Sequence, residues 1–241
     1  MHLVDHVLVL LLFVVQPFVS AIEARRIDAR AKAGQCVDRF RFYGHTVLLE
    51  WLFLAVLAAA WLTLGRPIED LGFASPRGSG FWVGTALLVV LIGVLLYSWR
   101  RARGLAVTEA AKELESLGRV VQLVPHNARE LQGFVGVSIT AGIVEEIVYR
   151  GFILWYLTHY MPLWFAVFFS SVVFGLGHIY QGANGALRTG LVGLAFGIYY
   201  VATGSIWLPI VAHAVLDILQ GATIYEMLRR HGRVLRPQAV A

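Results

Sequence analysis

Ile143-Val144-Glu145-Glu146-Ile147-Val148-Tyr149-Arg150-Gly151 sets two carboxylates and a guanidinium inside a stretch that otherwise reads as membrane-spanning helix. The flanks, 133–140 and 152–157, are apolar and uncharged. An ionisable side chain at the bilayer centre costs on the order of 2.5–3.5 kcal/mol on insertion scales. Three so close together must pair with one another, face a wet interior and have a task. On an α-helix Glu146 and Arg150 are i,i+4 neighbours and form an ion pair on one face. Glu145 is rotated by about 100° from Glu146, which leaves one carboxylate neutralised and the other free to face a cavity, as a buried catalytic base requires.

The rest of the chain agrees with a membrane setting. Of 241 residues, 58% are hydrophobic and only 15% charged, with a mean hydropathy of +0.69. Soluble domains are about a quarter charged and under half apolar. The expected fold is all-α, a polytopic transmembrane bundle, because only helices or closed barrels satisfy their backbone in lipid and no strand array is visible. Gly occurs 24 times, and small residues let helices approach closely in lipid. With one cysteine, Cys36, no intrachain disulfide or thiolate metal cluster is possible.

Apolar runs lie near 7–22, 47–64, 81–98, 133–159, 162–178, 188–203 and 205–220, giving about seven spans. The first reads as an uncleaved span rather than a signal peptide ending near Ser20-Ala21, since it lacks a basic n-region and contains Pro17. The loops 22–46 and 99–132, Arg188 and the tail hold 17 of the 20 Lys and Arg residues; Arg66 and Arg77 lie in the alternating set and Arg150 is intramembrane. Positive-inside bias then puts the N-terminus outside and the C-terminus in the cytoplasm. The net charge of +5 is thus a matter of topology and lipid head groups, and nucleic acid is not an expected partner. Residues 105–118 read as an amphipathic helix at the cytoplasmic interface, ending at Gly118. The expected organisation is N-terminal helices with a basic loop at 1–64, a core at 65–220 and a basic tail at 221–241.

Two further polar sites enter apolar runs. Phe174-Gly175-Leu176-Gly177-His178 puts Phe174 and His178 on one helix face, with two glycines making room for another backbone or an extended substrate. His213-Ala214-Val215-Leu216-Asp217 pairs an imidazole with a carboxylate at i,i+4, where the acid can hold its tautomer. Glu50 reads as interfacial. Gly193 and Gly197 form a GxxxG helix-packing pattern. A proton or ion relay of a small transporter and a non-catalytic immunity or scaffold protein are competing readings; the first lacks visible inverted repeats and broken helices.

Glu-Glu-x3-Arg, then Phe-x3-His, then His-x3-Asp, in this order on three spans, resembles the CPBP intramembrane proteases, the type II CAAX prenyl endopeptidases and their bacteriocin-processing or self-immunity relatives. The matching residues are Glu145, Glu146 and Arg150; Phe174 and His178; His213 and Asp217. Leu71-Gly72-Phe73 looks like the family's short loop motif. The eukaryotic prenyl-protein enzymes carry Asn where Asp217 stands, which turns the expectation away from prenylated substrates. The resemblance implies an intramembrane endopeptidase that cleaves a protein or peptide near its membrane-associated, C-terminal end. On that basis Glu145 with His178 activates a water, and His213, oriented by Asp217, stabilises the oxyanion. No cofactor is expected; the alternative is Zn²⁺ on Glu145, His178 and His213, with Asp217 as a possible further ligand. The expected location is a bacterial inner membrane.

Overall fold

The computed structural model describes residues 1–74 and 78–235, with the backbone alone at 232–235. Of the basic residues counted above, Arg77, Arg236 and the Arg233 side chain lie outside the described residues. The described part contains helices and no strand. In chain order they are α1 Leu3–Lys32, α2 Arg39–Thr63, α3 Gly78–Ala102, α4 Val107–Ser116, α5 Val120–Leu123, α6 Ala128–Thr158, α7 Leu163–Gly177, α8 Ala183–Thr203 and α9 Trp207–Leu235. Six of these (α1, α2, α3, α6, α8 and α9) are long and apolar enough to cross a bilayer. The seventh apolar run is α7, whose 15 residues reach ~22 Å at 1.5 Å per residue, short of the ~30 Å hydrocarbon layer. Its last residue, Gly177, and His178 just beyond it are buried.

Local chemistry sets the helix ends. The Asp38 side chain accepts from the backbone N–H of Arg41 and begins α2. Asn127 accepts from the N–H of Glu130 at 2.9 Å, while Glu130 accepts from the N–H of His126, so the start of α6 is satisfied from both sides. Pro162 precedes α7, and Gly204, at φ +63, ends α8 in the left-handed region. α1 loosens into a π-helical turn at Leu11–Val15 immediately before Pro17, where a strict α-helix would drive the proline ring into a carbonyl one turn back.

The connections between the long helices fall into two sets, with α4 and α5 both in one of them. On one face Arg66 donates to both oxygens of buried Asp5 at 2.7 Å, His6 meets the Tyr156 hydroxyl, and the N–H of Ile206 donates to the Gly72 carbonyl. On the other, Arg119 donates through Nε to Asp28 at 2.6 Å, the N–H of Tyr180 donates to Ser20 Oγ, and Arg103 faces Glu226. The main core joins Leu8 and Leu12 of α1, Leu57 and Trp61 of α2, Val148, Phe152 and Ile153 of α6, and Val167 and Phe174 of α7. Outward-facing Phe18, Leu48, Trp82, Val89 and Leu191 are exposed apolar side chains on helices of spanning length, and lipid is the solvent that suits them. The chain is a multi-pass membrane protein.

The expected amphipathic segment is realised as α4, with Gly118 at φ +55 just beyond it. Its apolar face, however, is covered by protein: Ala110 and Leu114 pack on Ile224, Met227 and Leu228 of α9.

Candidate active site

α6 carries three of the site's charged groups, and the next seven residues, Ile147–Ile153, form a second π-helical turn, all of them buried. Arg150 still reaches back to Glu146, donating from Nη1 at 2.8 Å, and its Nη2 donates to the Gly193 carbonyl of α8 at 2.8 Å. Glu146 is 0% and Arg150 3% exposed, so each would be an uncompensated buried charge without the other. The guanidinium also lies over the rings of Phe174, at 4.8 Å, and Phe196. The ion pair and the separation of the two glutamates are as the spacing predicts: Glu145 lines a cavity of about 1150 Å³ and Glu146 does not.

α9 supplies the second imidazole. Gly142 lets α6 and α9 meet, because a Cβ there would stand 2.8 Å from both the Cβ and the N of Ala214 and 2.9 Å from the Ile210 carbonyl. That contact sets His213 against Glu146, with Nδ1 2.7 Å from Oε1. A carboxylate only accepts, so Nδ1 carries the proton. Asp217 Oδ2 lies instead 3.6 Å from Nε2. The carboxylate that orients His213 is therefore Glu146, and the expectation that Asp217 does so is corrected. The i,i+4 spacing set both groups on one face, but the Nδ1 edge of the ring turns toward α6.

His178, just past the end of α7, donates from Nδ1 to the Phe174 carbonyl at 2.7 Å, which leaves Nε2 as a bare acceptor. That nitrogen is 3.7 Å from Glu145 Oε1, and His213 Nε2 is 3.8 Å from Glu145 Oε2. Phe174 packs between them, 4.7 Å from the His178 ring and edge-on to His213 at 6.1 Å. The two glycines of that segment have separate neighbours. A Cβ on Gly175 would meet the Ala186 carbonyl of α8, and one on Gly177 the Gln16 side chain of α1. Gly193 and Gly197 press α8 onto α7, with Phe174 and Val167 in the places their side chains would fill.

All six expected residues thus meet in one place: Glu145, His178, His213 and Asp217 on the cavity wall, with Glu146 and Arg150 behind them. Glu50 joins them. It lines the same cavity and is not interfacial, because α2 begins at Arg39, well before the apolar run does, and Glu50 lies ~16 Å along it. Gln16, whose Oε1 accepts from the Tyr149 hydroxyl at 2.6 Å, is another polar group the sequence did not single out. The charge of Glu50 next to an apolar run was the available signal; for Gln16 there was none. Leu71-Gly72-Phe73 is remote from the cavity; Gly72, at φ +88, tucks under Tyr200 on the opposite face. No group of three or more His, Cys, Asp or Glu side chains among the described residues is set to hold a metal ion.

Fold and site together define a helical membrane protein whose carboxylates and imidazoles converge in an intramembrane cavity. Residues 127–219 match the family described as "Type II CAAX prenyl endopeptidase Rce1-like". A protein of Bacillus subtilis (strain 168) named "Putative membrane peptidase YdiL" is 35% identical over 80 residues, 33% of this chain and 32% of that protein. The match spans about a third of the relative's own length. No solved structure matches the chain. The two similarities bear out the resemblance carried by the three motifs, and the family is one of protease-like membrane enzymes.

Proposed function

We propose that the chain is an intramembrane endopeptidase in which Glu145 and His178 activate a water. The observation that carries this reading is the convergence of two imidazole Nε2 atoms on the two oxygens of one carboxylate, at 3.7 and 3.8 Å, on a cavity wall. Separations of that size are too long for direct hydrogen bonds and suit a water held between Glu145 Oε1 and His178 Nε2. Both acceptors then draw its proton as it attacks the peptide carbonyl, and general-base help of this kind is worth about 10²–10⁴-fold. His213, with Nδ1–H committed to Glu146, offers Nε2 to the oxyanion as the imidazolium, surrounded by Glu146, Asp217 and Glu145. Glu146 and Arg150 position that ring and do not touch substrate.

The cavity is larger than the 300–1,000 Å³ of ordinary ligand pockets and suits an extended peptide. The lining segments Glu115–Val120 and Gln181–Gly185, with Arg188, belong to the face with the basic loops, which by charge is cytoplasmic. A protein or peptide with a membrane-associated, C-terminal cleavage site is the substrate class we infer, in a bacterial inner membrane, with lipid as the other partner.

Chelation tests the role of metal. Purified protein treated with EDTA and 1,10-phenanthroline should keep its peptidase activity and carry far less than one zinc per chain. Stoichiometric zinc, with activity lost on chelation and restored by Zn²⁺, would make Glu145, His178 and His213 ligands and give the base role to another carboxylate. Loss of all cleavage in Glu145→Gln, read as changed termini in the membrane proteome, tests the peptidase reading itself; unchanged termini would leave a non-catalytic immunity or scaffold role.

A further inference from the structure

Peptide hydrolysis needs a third service besides water activation and oxyanion stabilisation, namely a proton for the departing nitrogen. The groups described so far have other commitments. His178 has its only N–H on the Phe174 carbonyl, and His213 is turned between Glu146 and the oxyanion position. Across the same cavity stands a carboxyl group without an assignment. Glu50 lines the wall contributed by α2, within electrostatic reach of Glu145, His213 and Asp217. Its Oε2 is buried and has no hydrogen-bond partner. No protein donor holds that oxygen, and a buried polar group without a partner costs free energy, so helix packing does not account for a carboxyl group there. The wall that carries it is held in place. Trp51 Nε1 donates to Thr140 Oγ1 of α6 at 3.2 Å, and the Tyr43 hydroxyl donates to the Leu123 carbonyl.

We propose that Glu50 is a further catalytic residue, the acid that protonates the leaving amine. The inference rests on the peptidase reading. In this role Glu50 enters the cycle carrying its proton. The water oxygen bonds to the carbonyl carbon while one water proton passes to Glu145. The C–N bond then breaks as its electron pair takes the Glu50 proton, giving a free amine and a new carboxyl group. Glu145 ends with one proton too many and Glu50 with one too few. Transfer across the cavity restores both, so no co-reactant is needed.

The test compares two bonds in one scaffold. A palmitoylated peptide that the wild-type protein cleaves in proteoliposomes is paired with its depsipeptide, in which an ester replaces the scissile amide. An ester oxygen leaves with far less need of a proton than an amide nitrogen. Glu50→Gln should lose about 10²–10⁴-fold in kcat on the amide and under tenfold on the ester, and Glu50→Asp should recover part of the amide rate. The alkaline limb of the amide pH–rate profile should change in Glu50→Gln to the one set by the His213 proton alone; Glu145, His178 and Asp217 are the other ionisable groups that face the cavity. Ester cleavage shows that the variant is folded. An amide rate unchanged in Glu50→Gln, or equal losses on both bonds with the pH profile intact, would overturn the acid role while leaving the peptidase reading in place. A wild-type protein that cleaves no member of a palmitoylated peptide library, and does no better than Glu145→Gln, would sink that reading and the acid role with it.

Discussion

At the scale of single residues, adjacent glutamates one peptide bond apart have opposite surroundings. Glu145 faces a cavity and two imidazoles; Glu146 is sealed between Arg150 and His213. Their amide substitutions should therefore differ in kind. Glu145→Gln should abolish cleavage with an unchanged melting temperature, because Gln keeps the shape and removes only the charge. Glu146→Gln leaves Arg150 buried against a single carbonyl and releases the His213 ring. Breaking a buried pair costs about 3–5 kcal/mol, so activity and melting temperature should fall together. Identical behaviour of the two variants in both assays would mean that catalytic and supporting carboxylates are not separated as described. His213→Ala should cost roughly 2.7–4 kcal/mol of transition-state stabilisation, the range for loss of an oxyanion donor, read from kcat/KM.

At the scale of elements, the site depends on helices that approach closer than side chains normally permit. Gly142 is the point that sets His213, with Ala214 and the Ile210 backbone in the place of its missing Cβ. Gly142→Ala should push α9 outward, cost about 1–3 kcal/mol through overpacking and reduce cleavage, since His213 sits next to Ala214. Urea melting alongside a peptidase assay checks both effects; a fully active, equally stable variant would show that the α6–α9 contact does not set the site. α1 is the other decisive element. It contributes Asp5, Leu8, Leu12, Gln16 and Ser20 to buried contacts along its length. N-terminal sequencing of protein taken from membranes should find α1 retained, whereas a mature start near residue 22 would show a cleaved leader.

At the scale of the whole molecule, the two sets of connections and the basic loops make one topological statement. Reporter fusions at residue 35, at residue 115 and at the C-terminus should report the cytoplasm, and a fusion at residue 72 the opposite side. A cytoplasmic signal at residue 72 would overturn the span order. The intramolecular pairs already tie these loops into two sets, through Asp28 with Arg119 and Arg103 with Glu226 on one face and Asp5 with Arg66 on the other. The orientation of the cavity follows from the same order, because its lining includes segments of the basic-loop set.

Hydropathy alone determined the all-helical class, since a helix must be apolar over a length set by the bilayer, and that information is local. The Glu146–Arg150 pair and the turn of Glu145 away from it toward a cavity were also legible, because helical periodicity relates nearby residues without reference to the rest of the fold. The three motifs named the residues of the site for the same reason: charges in lipid stand out in one dimension. Only the tertiary structure decided which carboxylate holds His213, because the choice between Glu146 and Asp217 depends on the α6–α9 approach at Gly142, 67 residues from one partner to the other along the chain. It alone brought Glu50 into the cavity, since the depth of a residue is counted from where its helix begins, and α2 begins in a charged segment that hydropathy assigns to a loop. The π-helical turn after Glu146 had no local signal either. It is a packing solution, and packing is settled between helices rather than along them.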